Sequence, residues 1–137
     1  MRKAKGLIRV RFMPRVAADI RSEVGRLVRG FRRVSRVAHH VSVLVVPNPS
    51  LTTVGGGFGF GVCSVKRGHP VRIGVAAGLA RICMRHGDQR RRAIEAVGHV
   101  LLHELAHYEQ FRDRRPMVER GVNVRASGLY RQIDRLG

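Results

Sequence analysis

Five consecutive residues, His103-Glu104-Leu105-Ala106-His107, carry the pattern H-E-x-x-H. On a helix the two histidines project from adjacent turns of one face, so both imidazoles can bind one metal ion. Glu104 turns about 100° away from His103, which lets it reach a water on the metal rather than the metal itself. Zinc lowers the pKa of such a water and the glutamate takes its proton, which is how sites of this kind hydrolyse peptide bonds. The plain alternative is a pair of partly buried histidines with ordinary hydrogen bonds. The surrounding pattern speaks for the metal: Ile94, Val97, Leu101, Leu105 and Tyr108 fall on the opposite side of the helix. That side faces a core and leaves the histidines to a cleft.

Two histidines do not complete a zinc site; a third protein ligand is needed. The acids downstream are Glu109, Asp113, Glu119 and Asp134. Glu109 lies about 120° from the His103 face and points elsewhere. Asp113 sits at the fraying end of the helix, and Asp134 is far along the next one. Glu119 follows His107 by twelve residues. That is enough for the chain to turn and pack antiparallel, so Glu119 is the expected third ligand. His99 shares the histidine face, but three collinear ligands on one straight helix surround a tetrahedral metal poorly. It is expected to support the ligands from behind or to line the cleft.

The elements that must position these residues follow from pattern. Leu7–Met13 alternates as a short strand, and from Pro14 the period becomes helical. Val16, Ile20, Val24, Leu27, Val28, Phe31 and Val34 mark an amphipathic helix of about five turns ending before His39-His40. Val41–Val46 is a β-branched strand stopped by Pro47-Asn48-Pro49. The run Gly55–Gly61 fits neither a Walker loop nor G-x-G-x-x-G. It is expected to be a turn entering a glycine-rich strand, Phe58–Val65, and Val71–Ala76 is expected to be a further strand. A strand so poor in side chains suits an edge where another backbone approaches. Asp88 is positioned to cap a helix running to Phe111. A last helix is expected over Met117–Leu136, with Pro116 near its first turn.

The chain has 137 residues, which bounds it to one domain. Hydrophobic residues make up 44%, enough for a core, and no run approaches the length needed to span a bilayer. The basic start, Met1-Arg2-Lys3-Ala4-Lys5, is followed by no apolar signal core. Cys63 and Cys83 form no C-x-x-C and are expected to be buried thiols in a reducing, cytoplasmic setting. The formal charge is +18, carried by 24 Arg and three Lys against nine acids. Arginine binds phosphate bidentately, so a nucleic-acid partner is plausible, although genomic base composition also enriches arginine. Aromatics are only 5%, which argues against a single-strand binder built on stacking.

Leu101-Leu102-His103-Glu104-Leu105-Ala106-His107 resembles the active-site helix of zincin metallopeptidases. In the gluzincin branch a glutamate on a following helix completes the site. Glu119-Arg120-Gly121-Val122-Asn123-Val124-Arg125-Ala126 is similar to the E-x-x-x-N-x-x-A pattern of ImmA/IrrE-like peptidases, with Glu119, Asn123 and Ala126 matching. SprT-like zincins, which act on proteins attached to DNA, are a neighbour that suits the charge. They usually carry a third histidine downstream, and this chain has none after His107. The resemblance implies a minimal α+β zincin-like domain: a backing helix, a small mixed sheet, the active-site helix and a glutamate helix. It also implies that an edge strand takes substrate as an added strand. Phe58, Gly59, Phe60 and Gly61, or the strand Val71–Ala76, are the candidates.

The resulting expectation is a zinc-dependent metallopeptidase acting on a peptide or protein, without a membrane. His103, His107 and Glu119 would bind one Zn2+, with Glu104 as general base. Asn123 and Tyr130 fall within about 40° of Glu119 on one helix face. Asn123 would orient a ligand, and Tyr130 would stabilise the oxyanion or else be a core aromatic with a wet hydroxyl. The rival expectations are a basic nucleic-acid-associated protein with a structural or vestigial zinc site, and a latent protease blocked by its own terminal segment.

Overall fold

Valine and isoleucine at every second position give the central strands one dry face. In Val41–Val46 and Val71–Ala76, Val41, Val43, Val45, Val71, Ile73 and Val75 are all buried, while Leu44 and Arg72 between them are exposed. The computed structural model describes residues 6–52, 58–78 and 87–137. Six strands are described: β1 (Ile8–Phe12), β2 (Val41–Val46), β3 (Leu51–Thr52), β4 (Phe58–Gly59), β5 (Gly61–Ser64) and β6 (Val71–Ala76). The three helices among the described residues are α1 (Ala18–Val34), α2 (Gly87–Arg112) and α3 (Val122–Arg135). The chain is an α+β protein with a four-stranded mixed sheet of order β1-β2-β6-β5. β1, β2 and β6 run parallel, and β5 closes the edge antiparallel to β6.

The buried faces of the strands meet the apolar stripes of all three helices in one core. Ile20, Val24, Leu27 and Phe31 come from α1, Val97, Leu101, Leu105 and Tyr108 from α2, and Ala126, Leu129 and Ile133 from α3. Phe31, Leu101, Leu105, Tyr108 and Leu129 are fully enclosed. Complete burial of such side chains contributes roughly 1.5–3 kcal/mol each. This packing places α2 across the β5–β6 edge with its histidine face turned away from the core.

Four expectations change. The glycine-rich strand Phe58–Val65 is two pieces. Phe58-Gly59 pairs with Leu51-Thr52 in a separate two-stranded sheet, Phe60 is an exposed bend, and only Gly61–Ser64 joins the main sheet. Strand Val71–Ala76 lies between β2 and β5, so it offers no edge. The last helix starts at Val122, not Met117, because Gly121 has φ +81°, a left-handed conformation in which the helix cannot continue. Asp88 lies inside helix α2, which is described from Gly87 onward, rather than ahead of it. Cys63 is half-buried and unpaired, and burial pushes its thiol up to about 12. Cys83 and Gly55–Gly57 lie outside the described residues.

Candidate metal centre

Helix spacing places His103 and His107 on adjacent turns, and their rings stand edge to face with centroids 5.0 Å apart. The ligating atoms of His103, Glu104 and His107 lie within 4.8 Å of one another, so this group can hold a metal ion. Glu119 arrives from the turn before α3, where its carbonyl oxygen accepts from the N–H of Val122 at 3.2 Å. Its two carboxylate oxygens stand 3.0 Å from Nε2 of His103 and 3.0 Å from Nε2 of His107. The Glu119 side chain is 76% exposed, so the cluster opens to solvent on that side.

The outer nitrogens of the rings have their own partners. His103 Nδ1 is 2.8 Å from Asn123 Oδ1, and His107 Nδ1 is 2.9 Å from Gln110 Oε1. Gln110 donates its amide N–H to the carbonyl of Val118 at 2.9 Å, and a carbonyl can only accept. The Gln110 oxygen is thereby turned toward His107, whose Nδ1 must carry the proton. In the neutral tautomer with Nδ1–H, Nε2 is a bare acceptor facing Glu119, which is also an acceptor. Two acceptors at 3.0 Å repel unless a proton or a metal cation lies between them. The donor set therefore fits a divalent cation bound through imidazole nitrogen and carboxylate oxygen.

Glu104 is 5% exposed and its Oε2 is fully buried without a hydrogen-bond partner. Burial raises its carboxyl above the ordinary value; His103 and His107 oppose the rise and Glu119 adds to it. Its Cγ also explains Gly61. A Cβ on Gly61 would stand 2.9 Å from Glu104 Cγ and 2.7 Å from Val100 Cγ1, so only glycine lets α2 come this close to β5. β5, whose outer edge has no strand partner among the described residues, is thus the edge strand beside the metal group.

The structure brings His103, Glu104, His107, Glu119, Asn123 and Gly61 together. Tyr130 is elsewhere. Its hydroxyl donates to Glu23 at 2.6 Å and faces α1, so the expected oxyanion role falls away. His99 lines a groove between α2 and α3 with Arg92, Glu95, Ser127, Tyr130 and Arg131, and supports neither ligand histidine. Of the substrate-strand residues, Phe58 and Gly59 belong to the small sheet and Phe60 is the exposed bend. Gln110 was missed by sequence reasoning. Its signal is a glutamine three residues after a ligand histidine, which shares that histidine's face. As expected, Glu109 points away: it accepts from Arg125 at 2.7 and 2.8 Å and from Ser35 Oγ at 2.6 Å. Comparison with protein-family models, with curated proteins and with solved structures finds no match for this chain.

Proposed function

We propose that the chain is a zinc-dependent metallopeptidase of gluzincin type. The observation that carries this reading is the convergence of two Nε2 atoms and the Glu119 carboxylate beside a buried carboxylate oxygen with no partner. When bound, zinc would supply a Lewis acid that polarises the scissile carbonyl and acidifies a water. His103 and His107 would hold it through Nε2, and Glu119 would contribute a carboxylate oxygen. Asn123 and Gln110 fix the ring orientations by accepting the Nδ1 protons. Glu104 takes a proton from the attacking water at its free oxygen and delivers it to the leaving amine. β5 receives an extended peptide as an added strand, because its outer edge has no strand partner among the described residues and Gly61 brings that strand against Glu104. A structural zinc site would close its coordination with protein and has no use for a buried carboxyl whose oxygen lacks a partner. The setting we assign is the reducing cytoplasm.

The test is elemental analysis of the purified protein together with cleavage of an unfolded protein substrate by wild type and Glu104→Gln. The expected result is about one zinc per chain in both proteins and cleavage by wild type alone. A wild type that takes up no zinc, or a Glu104→Gln protein that cleaves as well as wild type, overturns the proposal.

A further inference from the structure

Parallel strands are ordinarily covered on both faces. Here β1, β2 and β6 are parallel, yet among the described residues the three helices cover only one face. On the other, Arg9, Arg11, Leu44 and Arg72 are exposed. Register aligns this bare face in rows: Arg9, Ser42, Arg72 and Ser64 sit side by side across all four strands, and Arg11 and Leu44 follow in the next row. β3 covers only the corner at Gly74, where Leu51 approaches.

The charge on the two layers is just as unequal. All nine acids of the chain lie at Asp19, at Glu23 or from Asp88 onward, and the stretch 24–87 that contains β2 to β6 has none. Among the described residues, the ion pairs use Arg26, Arg90, Arg112, Arg115, Arg125 and the two ligand histidines; Arg9, Arg11 and Arg72 take part in none. Lys66 and Arg67, in the turn between β5 and β6, extend the positive charge at one end of the face.

We propose that this open sheet face binds the phosphate backbone of a nucleic-acid duplex. Guanidinium groups fixed on a sheet suit that ligand. Arg9 and Arg11 are spaced by about 6.6 Å along one strand, and Arg9 and Arg72 by about 9.6 Å across two strand steps. Arginine meets phosphate in bidentate pairs, and Ser42 and Ser64 add hydroxyls in the same row. The outward residues include no aromatic, so single strands find no stacking platform here. Leu44 stands amid the arginines, and Leu7 and Met13 are exposed at the two ends of β1; three apolar side chains separated by arginines are too few to insert into a bilayer. The proposal is independent of the metal centre, which lies on the helical side of the sheet.

The test is binding of a labelled mixed-sequence DNA duplex between about 50 and about 200 mM salt. Two charge-matched variants are compared: Arg9→Gln/Arg11→Gln/Arg72→Gln on the sheet, and Arg29→Gln/Arg32→Gln/Arg33→Gln on the exposed side of α1. The sheet variant should lose about tenfold or more in affinity and about 2.7 from the magnitude of the log–log salt slope. The α1 variant should stay close to wild type, and melting temperatures should agree. Arg72→Glu alone gives a second measure, with a loss expected in the same direction. Equal losses in the two triple variants would reduce the effect to net charge and overturn the proposal. So would a larger loss in the α1 variant, or binding to phosphatidylserine vesicles with none to the duplex.

Discussion

Glu104 and Glu109 lie five residues apart on α2, and both are almost wholly buried, at 5% and 3% exposure. Their surroundings differ completely. Glu109 is gripped by Arg125 and Ser35, and Arg112 ties the same Ser35 to the backbone of Arg36. Burial alone would raise its carboxyl, but the bonds from Arg125 and Ser35 outweigh that and hold it below the ordinary range. Among the described residues Glu104 has no such donors, its Oε2 is orphaned, and its carboxyl is raised. A buried acid with its hydrogen bonds satisfied joins elements of the fold. A buried acid left unsatisfied lowers stability and is retained where chemistry needs it.

The largest expected effect is on catalysis. Glu104→Gln should reduce peptide cleavage by about 10²–10⁴-fold without lowering the melting temperature, since no partner is lost. Cleavage assays beside thermal melts check both halves, and a large drop in stability would make Glu104 a structural acid like its neighbour. Glu109→Gln should do the reverse. It leaves a guanidinium without its carboxylate and should cost about 2 kcal/mol in urea unfolding, the Arg125 side being half exposed. Zinc content should survive it. A Glu109→Gln protein as stable as wild type would erase the contrast.

Gln110 lies between the two regimes, because it orients His107 and also anchors the segment that delivers Glu119. Gln110→Ala should weaken zinc affinity by about 10–100-fold, as read by chelator competition. An unchanged affinity would remove it from the site. The smallest expected effect concerns Glu23, a second satisfied acid. Burial raises its carboxyl, but hydrogen bonds from Arg26 and Tyr130 bring it below the ordinary value. Its contribution is therefore complete above the unfolded carboxyl pKa and lost as pH falls through the lower folded one. Glu23→Gln should flatten that acid limb of stability against pH; an unaltered limb would show that the bonds add nothing.

Much of the site was legible because helices are local. The four-residue spacing of His103 and His107, the outward turn of Glu109 and the reach of Glu119 all follow from 3.6 residues per turn and chain length. Gln110 was equally local and went unread because a glutamine is rarely weighed as a ligand's partner. Tyr130 misled for a related reason. Its angle on α3 is right relative to Asn123, but angle says nothing of which neighbouring helix it meets, and it meets Glu23 on α1.

By itself the sequence determined the α+β class, the helical histidine pair, the valine strands and the concentration of acids outside 24–87, because each depends on period or composition along the chain. Only the tertiary structure decided that Gly61–Ser64 rather than Val71–Ala76 is the edge beside the histidines, and that helices cover one face of the sheet while Arg9, Arg11 and Arg72 line the other. It also decided which buried glutamate has partners. Strand order, layer coverage and hydrogen-bond satisfaction depend on residues tens of positions apart, such as Ser35 with Glu109, and no local period encodes those meetings.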